Sequence, residues 1–243
     1  MLQKDMDGKR ESPHERARLL PLGDSALVVT FGDEINEATH FEVRAFSDHL
    51  AAQPPEAMIE HIPAFTSVTV LYDPIRSGYE DFAGEIQALI EDTPKEHSEM
   101  RARTVEIPVC YGGDLGPDLD FVASHNGLTT DEVIAIHCGP TYPVYMIGFA
   151  PGFPYLGGMS AKIAAPRRDA PRERIPAGSV GLAGKQTGIY PIETPGGWQV
   201  IGRTPLRLFR PDEDPPSLLR AGDRVRFNSV DRADYDRILD GVE

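Results

Sequence analysis

The sequence predicts an α+β protein in two parts, a small α/β sandwich (an antiparallel sheet carrying two helices) followed by a β-barrel. Three observations carry that prediction. The first ninety or so residues read strand, strand, helix and then repeat that order, as in a sheet covered on one face by helices. A polar stretch over 93–103, rich in Pro, His, Ser and charge, then interrupts the pattern. Beyond Tyr142 short apolar segments alternate with turn residues, the texture of a closed or nearly closed barrel. The expected organisation is therefore a flexible tail over 1–16, an α/β domain over 17–92, a linker over 93–103 and a barrel domain over 104–243.

Each element has a local reason. Apolar runs at 19–22 and 26–31 flank Gly23 and Asp24 and read as two strands joined by a turn. A helix is expected over 36–52, with Asn36 as its N-cap and Val43, Phe46 and Leu50 at spacings that share one face. Strands follow at 58–62 and 67–72; in the second, Val68, Val70 and Tyr72 alternate onto one side. A helix at 78–91 gathers Phe82, Ile86, Leu89 and Ile90 into a stripe.

In the second part, a strand at 105–109 precedes two short helices near 117–125 and 130–138, the latter capped by Thr129 or Thr130. Strands are then expected at 144–149, 179–183, 188–191, 198–202 and 224–228, with a last helix over 231–240.

Composition narrows the function. The net charge of −14 repels phosphate backbones and anionic lipid, so nucleic acid and membrane surfaces are poor partners. Residues 161–226 nevertheless carry 12 Lys/Arg against 7 Asp/Glu, a local +5 against −19 elsewhere. Such a region suits an anionic ligand or an acidic partner surface, or cross-strand pairing with carboxylates. Two cysteines, Cys110 and Cys138, in no C-x-x-C pair, fit a reducing, cytoplasmic location. The charged N-terminus lacks the apolar core of a signal peptide, and no stretch is long enough to span a bilayer.

Several chemistries lack their motif. Between Gly178 and Gly184 stand five residues where a P-loop needs four, and Gln186 follows Lys185 where the Mg²⁺-binding hydroxyl belongs. No G-x-S-x-G elbow occurs, and the seven histidines show no zinc spacing, so no metal site is expected.

The informative stretch is 137–205. It contains GFAPGFPYLGG at 148–158, PRR at 166–168, IPAGSVGLAG at 175–184, QTGIYP at 186–191 and TPGGWQVIGRTP at 194–205. Prolines and glycines force 148–155 to loop, and the loop carries Phe149, Phe153 and Tyr155. Exposed aromatics of this kind need a cover: the barrel itself, a ligand or a partner.

These runs, with GDSA at 23–26 and PAFTS at 63–67, resemble the KipI-like family, the B subunit of bacterial ATP-dependent 5-oxoprolinase. The module also goes under the name allophanate hydrolase subunit 1 and occurs fused in urea carboxylase-type proteins. The resemblance covers nearly the whole chain from about residue 19. It implies that the barrel is cyclophilin-like, in fold only. It implies a KipA-like C subunit and a LamB/YcsF-like A subunit as partners. Together these would hydrolyse 5-oxo-L-proline to L-glutamate with ATP, which this chain has no nucleotide motif to bind. A sensor-kinase inhibitor and a urea- or allophanate-related subunit are the alternatives the family offers.

Opening a lactam calls for positive charge, a base for water and donors to the carbonyl. Arg167 and Arg203 are the candidates for charge, since guanidinium forks suit anions, with Lys185 behind them. His137 is the candidate for acid–base work or substrate orientation, or else a structural partner of a helix C-terminus. Tyr145, Gln186, Thr187 and Tyr190 are candidate pocket groups beside Phe149, Phe153 and Tyr155. Trp198 reads as core.

Overall fold

The computed structural model describes residues 17–94 and 103–241. The expected tail and most of the expected linker lie outside them. No described helix is long and apolar enough to cross a membrane. The chain divides into two compact units, one up to Ser98 and one from Glu99.

The first unit holds β1 (Arg18–Pro21), β2 (Ala26–Thr30), α1 (Glu37–Ala52), β3 (Met58–Pro63), β4 (Ser67–Tyr72) and α2 (Tyr79–Asp92). Its sheet runs β1-β2-β4-β3, every neighbour antiparallel. The Asn36 side chain caps α1 by accepting from the Thr39 N–H at 2.9 Å, which satisfies one of the free donors at that helix end. Leu27, Val29, Val68 and Val70 point from the sheet into a core shared with Val43, Phe46 and Leu50 of α1 and Phe82, Ile86 and Ile90 of α2. Tyr72 stacks on Phe82 with centroids 4.5 Å apart.

The second unit begins with β5 (Thr104–Tyr111), α3 (Leu119–Asn126), α4 (Thr130–Cys138) and β6 (Tyr142–Ile147). It continues through β7 (Pro154–Leu156), β8 (Arg172–Ile175), β9 (Ser179–Ala183) and β10 (Gln186–Ile189). Last come β11 (Thr194–Gly196), β12 (Gln199–Arg203), β13 (Arg224–Ser229) and α5 (Arg232–Asp240). Thr129 caps α4 in a reciprocal box with Glu132, and Gly127 ends α3 in the left-handed region.

Seven strands close the barrel in the order β10-β7-β6-β13-β5-β12-β9. All the pairings are antiparallel except β5 with β13, which runs parallel. Its interior is filled by Ile107, Val109, Tyr142, Val144, Leu156, Val180, Leu182, Ile189, Ile201, Val225 and Phe227.

Three details differ from the sequence expectation. The loop ends at Phe153, because Pro154 opens a short barrel strand, a position where a missing N–H is tolerated. The β8–β11 ribbon has no counterpart among the expected strands: Arg172-Glu173-Arg174 has no apolar alternation to show it. The strand expected at 144–149 begins earlier and stops at Ile147.

Candidate functional site

The outer face of the barrel carries a second cluster, formed by Phe153, Ile175, Ala183, Tyr190, Trp198 and Val200. Strand β9 lies between the two clusters, so all five of its residues are buried. The glycines explain how large rings fit there. Gly181 and Gly188 face each other across β9 and β10. A Cβ on Gly188 would lie 2.9 Å from Phe153 Cζ and 3.1 Å from Trp198 Cζ3, and one on Gly181 would lie 3.2 Å from Trp198 Cβ. The run that superficially suggested a phosphate loop is therefore a flat floor on which aromatic rings rest. Gly184 and Lys185 make the turn between β9 and β10, and the Gly184 N–H also donates to Ala165 O at 2.7 Å.

Phe153 is the hub of this floor. Its ring meets Phe149, Tyr155, Tyr190 and Trp198 edge-on, with centroids 5.2–5.8 Å apart, an arrangement the ring quadrupoles favour. The loop before it is tight. Ala150 N–H donates to Gly148 O at 2.8 Å, a γ-turn centred on Phe149, whose φ is 67°. A non-glycine residue there is strained, and the ring it carries is 68% exposed at the mouth of the cleft.

The floor opens into a cleft of about 410 Å³ lined by those aromatics and by Arg167, Pro171, Gln186 and the end of β11 with Gly197. That volume suits a small ligand. Arg167 is the cation in the described lining, and it has no hydrogen bond or ion pair among the described residues. Burial above all pushes the Tyr190 pKa up to about 12, against the opposing pull of the nearby Trp198 backbone and the Arg167 and Arg172 charges. The phenol therefore stays protonated, with its own O–H free to donate.

Six of the ten sequence candidates thus meet in one place: Phe149, Phe153, Tyr155, Arg167, Gln186 and Tyr190. Four do not line it. Thr187 follows Gln186 on β10 and so faces the barrel interior. His137 lies fully buried beside it, its Nε2 2.9 Å from Thr187 Oγ1 and its Nδ1 2.7 Å from the Tyr111 hydroxyl.

The same chain of hydrogen bonds continues from Thr187 O–H to Gly181 O at 3.2 Å and from the Tyr111 hydroxyl to Cys138 Sγ at 3.4 Å. Burial lowers the His137 pKa to about 3, so the ring is neutral, bonded at both nitrogens and sealed from the cleft. Tyr145 lays its ring over Gly157, where a Cβ would come 2.2 Å from it. Arg203 donates from Nε to Ala177 O at 2.7 Å and braces that loop.

Two participants had no role at the site on the sequence reading. Trp198, expected as core, is nearly buried yet lines the cleft. Asp118 is 5% exposed and holds the cleft wall from behind. It accepts Arg172 Nη1 at 2.7 Å and Nη2 at 2.8 Å, Arg168 Nη1 at 3.1 Å and the Val200 N–H at 2.7 Å.

A closed barrel bearing an aromatic cleft of small-molecule size, in a chain that also contains a four-stranded sandwich, defines a two-unit α+β protein. Residues 17–219 match the family described as carboxyltransferase domain, subdomain C and D. The chain is 53% identical over 230 residues to the 5-oxoprolinase B subunit of Bacillus subtilis, covering 90% of this chain and 95% of that one. To the 5-oxoprolinase B subunit of Escherichia coli O157:H7 it is 42% identical over 213 residues, covering 88% and 96%. A solved structure of a conserved uncharacterized protein from Pyrococcus horikoshii aligns at 46% identity with a TM-score of 0.55, over 90% of this chain and 100% of that one. The chain belongs to the carboxyltransferase subdomain C and D family, among its KipI-like members, the B subunits of 5-oxoprolinase.

Proposed function

We propose that this chain is the B subunit of an ATP-dependent complex that hydrolyses 5-oxo-L-proline to L-glutamate. Its partners in that reading are a KipA-like C subunit and a LamB/YcsF-like A subunit. The barrel cleft holds the lactam. The observation that carries the reading is the convergence of a guanidinium, Arg167, and a protonated phenol, Tyr190, neither with an acceptor for its N–H or O–H donors among the described residues, over an aromatic floor. A five-membered lactam acid presents the matching groups: a carboxylate, an amide and a face of methylenes.

In this arrangement Arg167 takes the carboxylate as a bidentate partner. Tyr190 donates to the ring carbonyl, where negative charge develops as water adds. Gln186 accepts from, or donates to, the ring amide. The rings of Phe153 and Trp198 cover the methylenes, and Phe149 at the mouth limits water. Hydrolysis then breaks the C–N bond, the nitrogen leaving as the amine of glutamate.

The lining does not fit a nucleoside triphosphate. It offers one guanidinium, and its glycines seat aromatic rings instead of aiming backbone N–H groups from a helix N-terminus. No carboxylate or imidazole is among the described lining residues, so the base that activates water, like the ATP site, is assigned to another component of the complex.

The test is glutamate release from 5-oxoproline by the chain co-expressed with its two candidate partners, with and without ATP. ATP-dependent release that stops when this chain is omitted, and whose KM rises in Arg167→Ala, supports the reading. A well-formed complex with no such activity overturns it and moves the weight to kinase inhibition or urea-related chemistry.

A further inference from the structure

We infer that Asp118 is the positioning residue that sets Arg167 for the substrate carboxylate, an inference that rests on the cleft reading above. Arg167 lies in an irregular segment between Ala165 and β8, which by itself would leave its direction undefined. The segment is instead pinned on both sides. Before it, Pro166 O accepts from Gln199 Nε2 at 2.9 Å. After it, Arg168 N–H donates to Gly197 O at 2.8 Å, and the Arg168 guanidinium turns away from the cleft onto Asp118.

Asp118 does more than pair with one arginine. Its two oxygens bind the Arg172 fork, which fixes the start of β8 and with it Pro171 of the cleft lining. Asp118 Oδ2 also accepts the Val200 N–H at 2.7 Å, while its own backbone N–H donates to Val200 O at 2.9 Å. That pair of hydrogen bonds locks the start of α3 to β12 just after Trp198.

One buried carboxylate therefore ties together three stretches that line the cleft: 166–168, 171–172 and 197–200. The consequence for the site is selective. Of the two adjacent guanidiniums, Arg168 is consumed by the clamp and Arg167 is left for a ligand. Bidentate recognition of a carboxylate tolerates little angular error, so loosening the clamp weakens the hold on substrate before it affects the chemistry.

The experiment measures KM and kcat for 5-oxoproline with the reconstituted complex carrying Asp118→Asn, Arg172→Lys, Arg167→Ala and the double variant D118N/R167A. Asn keeps an acceptor for Val200 N–H but cannot bind the whole fork; Lys keeps the charge of Arg172 without its fork. The expected result is a KM about ten- to a hundred-fold higher in D118N, a smaller rise in R172K, and kcat at saturation within about two-fold of the parent. The double variant should be no worse than R167A alone, because both act through the same contact.

If R167A leaves KM unchanged, the cleft reading fails and takes this inference with it. If R167A raises KM but R172K and D118N do not, or the double variant is additive, Asp118 has no positioning role while the cleft reading stands. A fall in kcat without a rise in KM likewise overturns positioning. Should D118N fail to fold, R172K alone decides between these outcomes.

Discussion

Gly188→Ala is the most direct test of how the cleft is built. The substitution adds one methyl group, and its backbone is ordinary strand, so nothing about φ forbids alanine. The obstacle is only what the Cβ meets: Phe153 Cζ at 2.9 Å and Trp198 Cζ3 at 3.1 Å. Both rings are held edge-to-face by others, so neither yields alone. Overfilling a packed site of this kind costs about 1–3 kcal/mol. For a chain of this size that corresponds to a fall in melting temperature of about 2–12 °C.

The chain has a single tryptophan among eight tyrosines, so emission excited at the red edge of the band, where tyrosine does not absorb, reports this floor during a thermal scan. Gly188→Ala should lower the midpoint and shift the Trp198 emission to longer wavelength as the ring is lifted toward water. Gly84→Ala is the control. That glycine sits within α2 with nothing within 4 Å of an added Cβ, and alanine there should stabilise its own unit by up to about 1 kcal/mol. An unchanged midpoint and unchanged emission for Gly188→Ala would refute the idea that the glycines exist to seat the rings.

Other outcomes follow from the same geometry. Tyr190→Phe in the complex should cost about a hundred-fold in kcat with little change in KM, since a donor to a developing oxyanion acts mainly in the transition state; steady-state glutamate assays separate the two. Burial lowers the pKa of His137 to about 3, and burial with the Arg44 charge lowers that of His40 to about 4. In the unfolded chain both histidines titrate near the usual imidazole value of about 6.5. The unfolded state therefore gains protons first as pH falls, and stability should decline below about pH 6.5 and keep declining toward pH 3, by up to about 1.4 kcal/mol per pH unit per group. Urea midpoints measured against pH should show this. His137→Gln should reduce the slope while leaving the cleft able to bind, whereas a role in catalysis would instead appear as a lost limb in the activity–pH profile.

Much of the fold could be read in the sequence because local signals were strong. Asn36 and the spacing of Val43, Phe46 and Leu50 mark α1, and alternation marks β4. The remaining elements have no local signal. The β8–β11 ribbon is charged and turn-like in sequence, and Pro154 disguised β7.

At the site the aromatics were visible because a proline–glycine loop cannot bury them within a helix or strand of its own. His137 is a candidate by sequence only through its position beside the signature runs. Its burial depends on Thr187, 50 residues away, which no window reveals. Asp118 was invisible for the same reason, its partners lying 50, 54 and 82 positions along the chain. In sequence the glycines read as turns; in the structure Gly181 and Gly188 make room for aromatic rings from elsewhere in the chain.

The parallel pairing of β5 with β13 has a consequence for synthesis. It joins the first and last strands of the barrel, with Glu106 and Arg226 in contact across 120 positions. The seams that do not involve β13 can form as the chain leaves the ribosome, but this one waits until residue 229 has emerged. Until then the faces of Ile107, Val109 and Val144 have no Val225 or Phe227 against them, and the nascent barrel is an open sheet with two sticky edges. Messages truncated before β13 should therefore yield aggregate rather than a partly working protein.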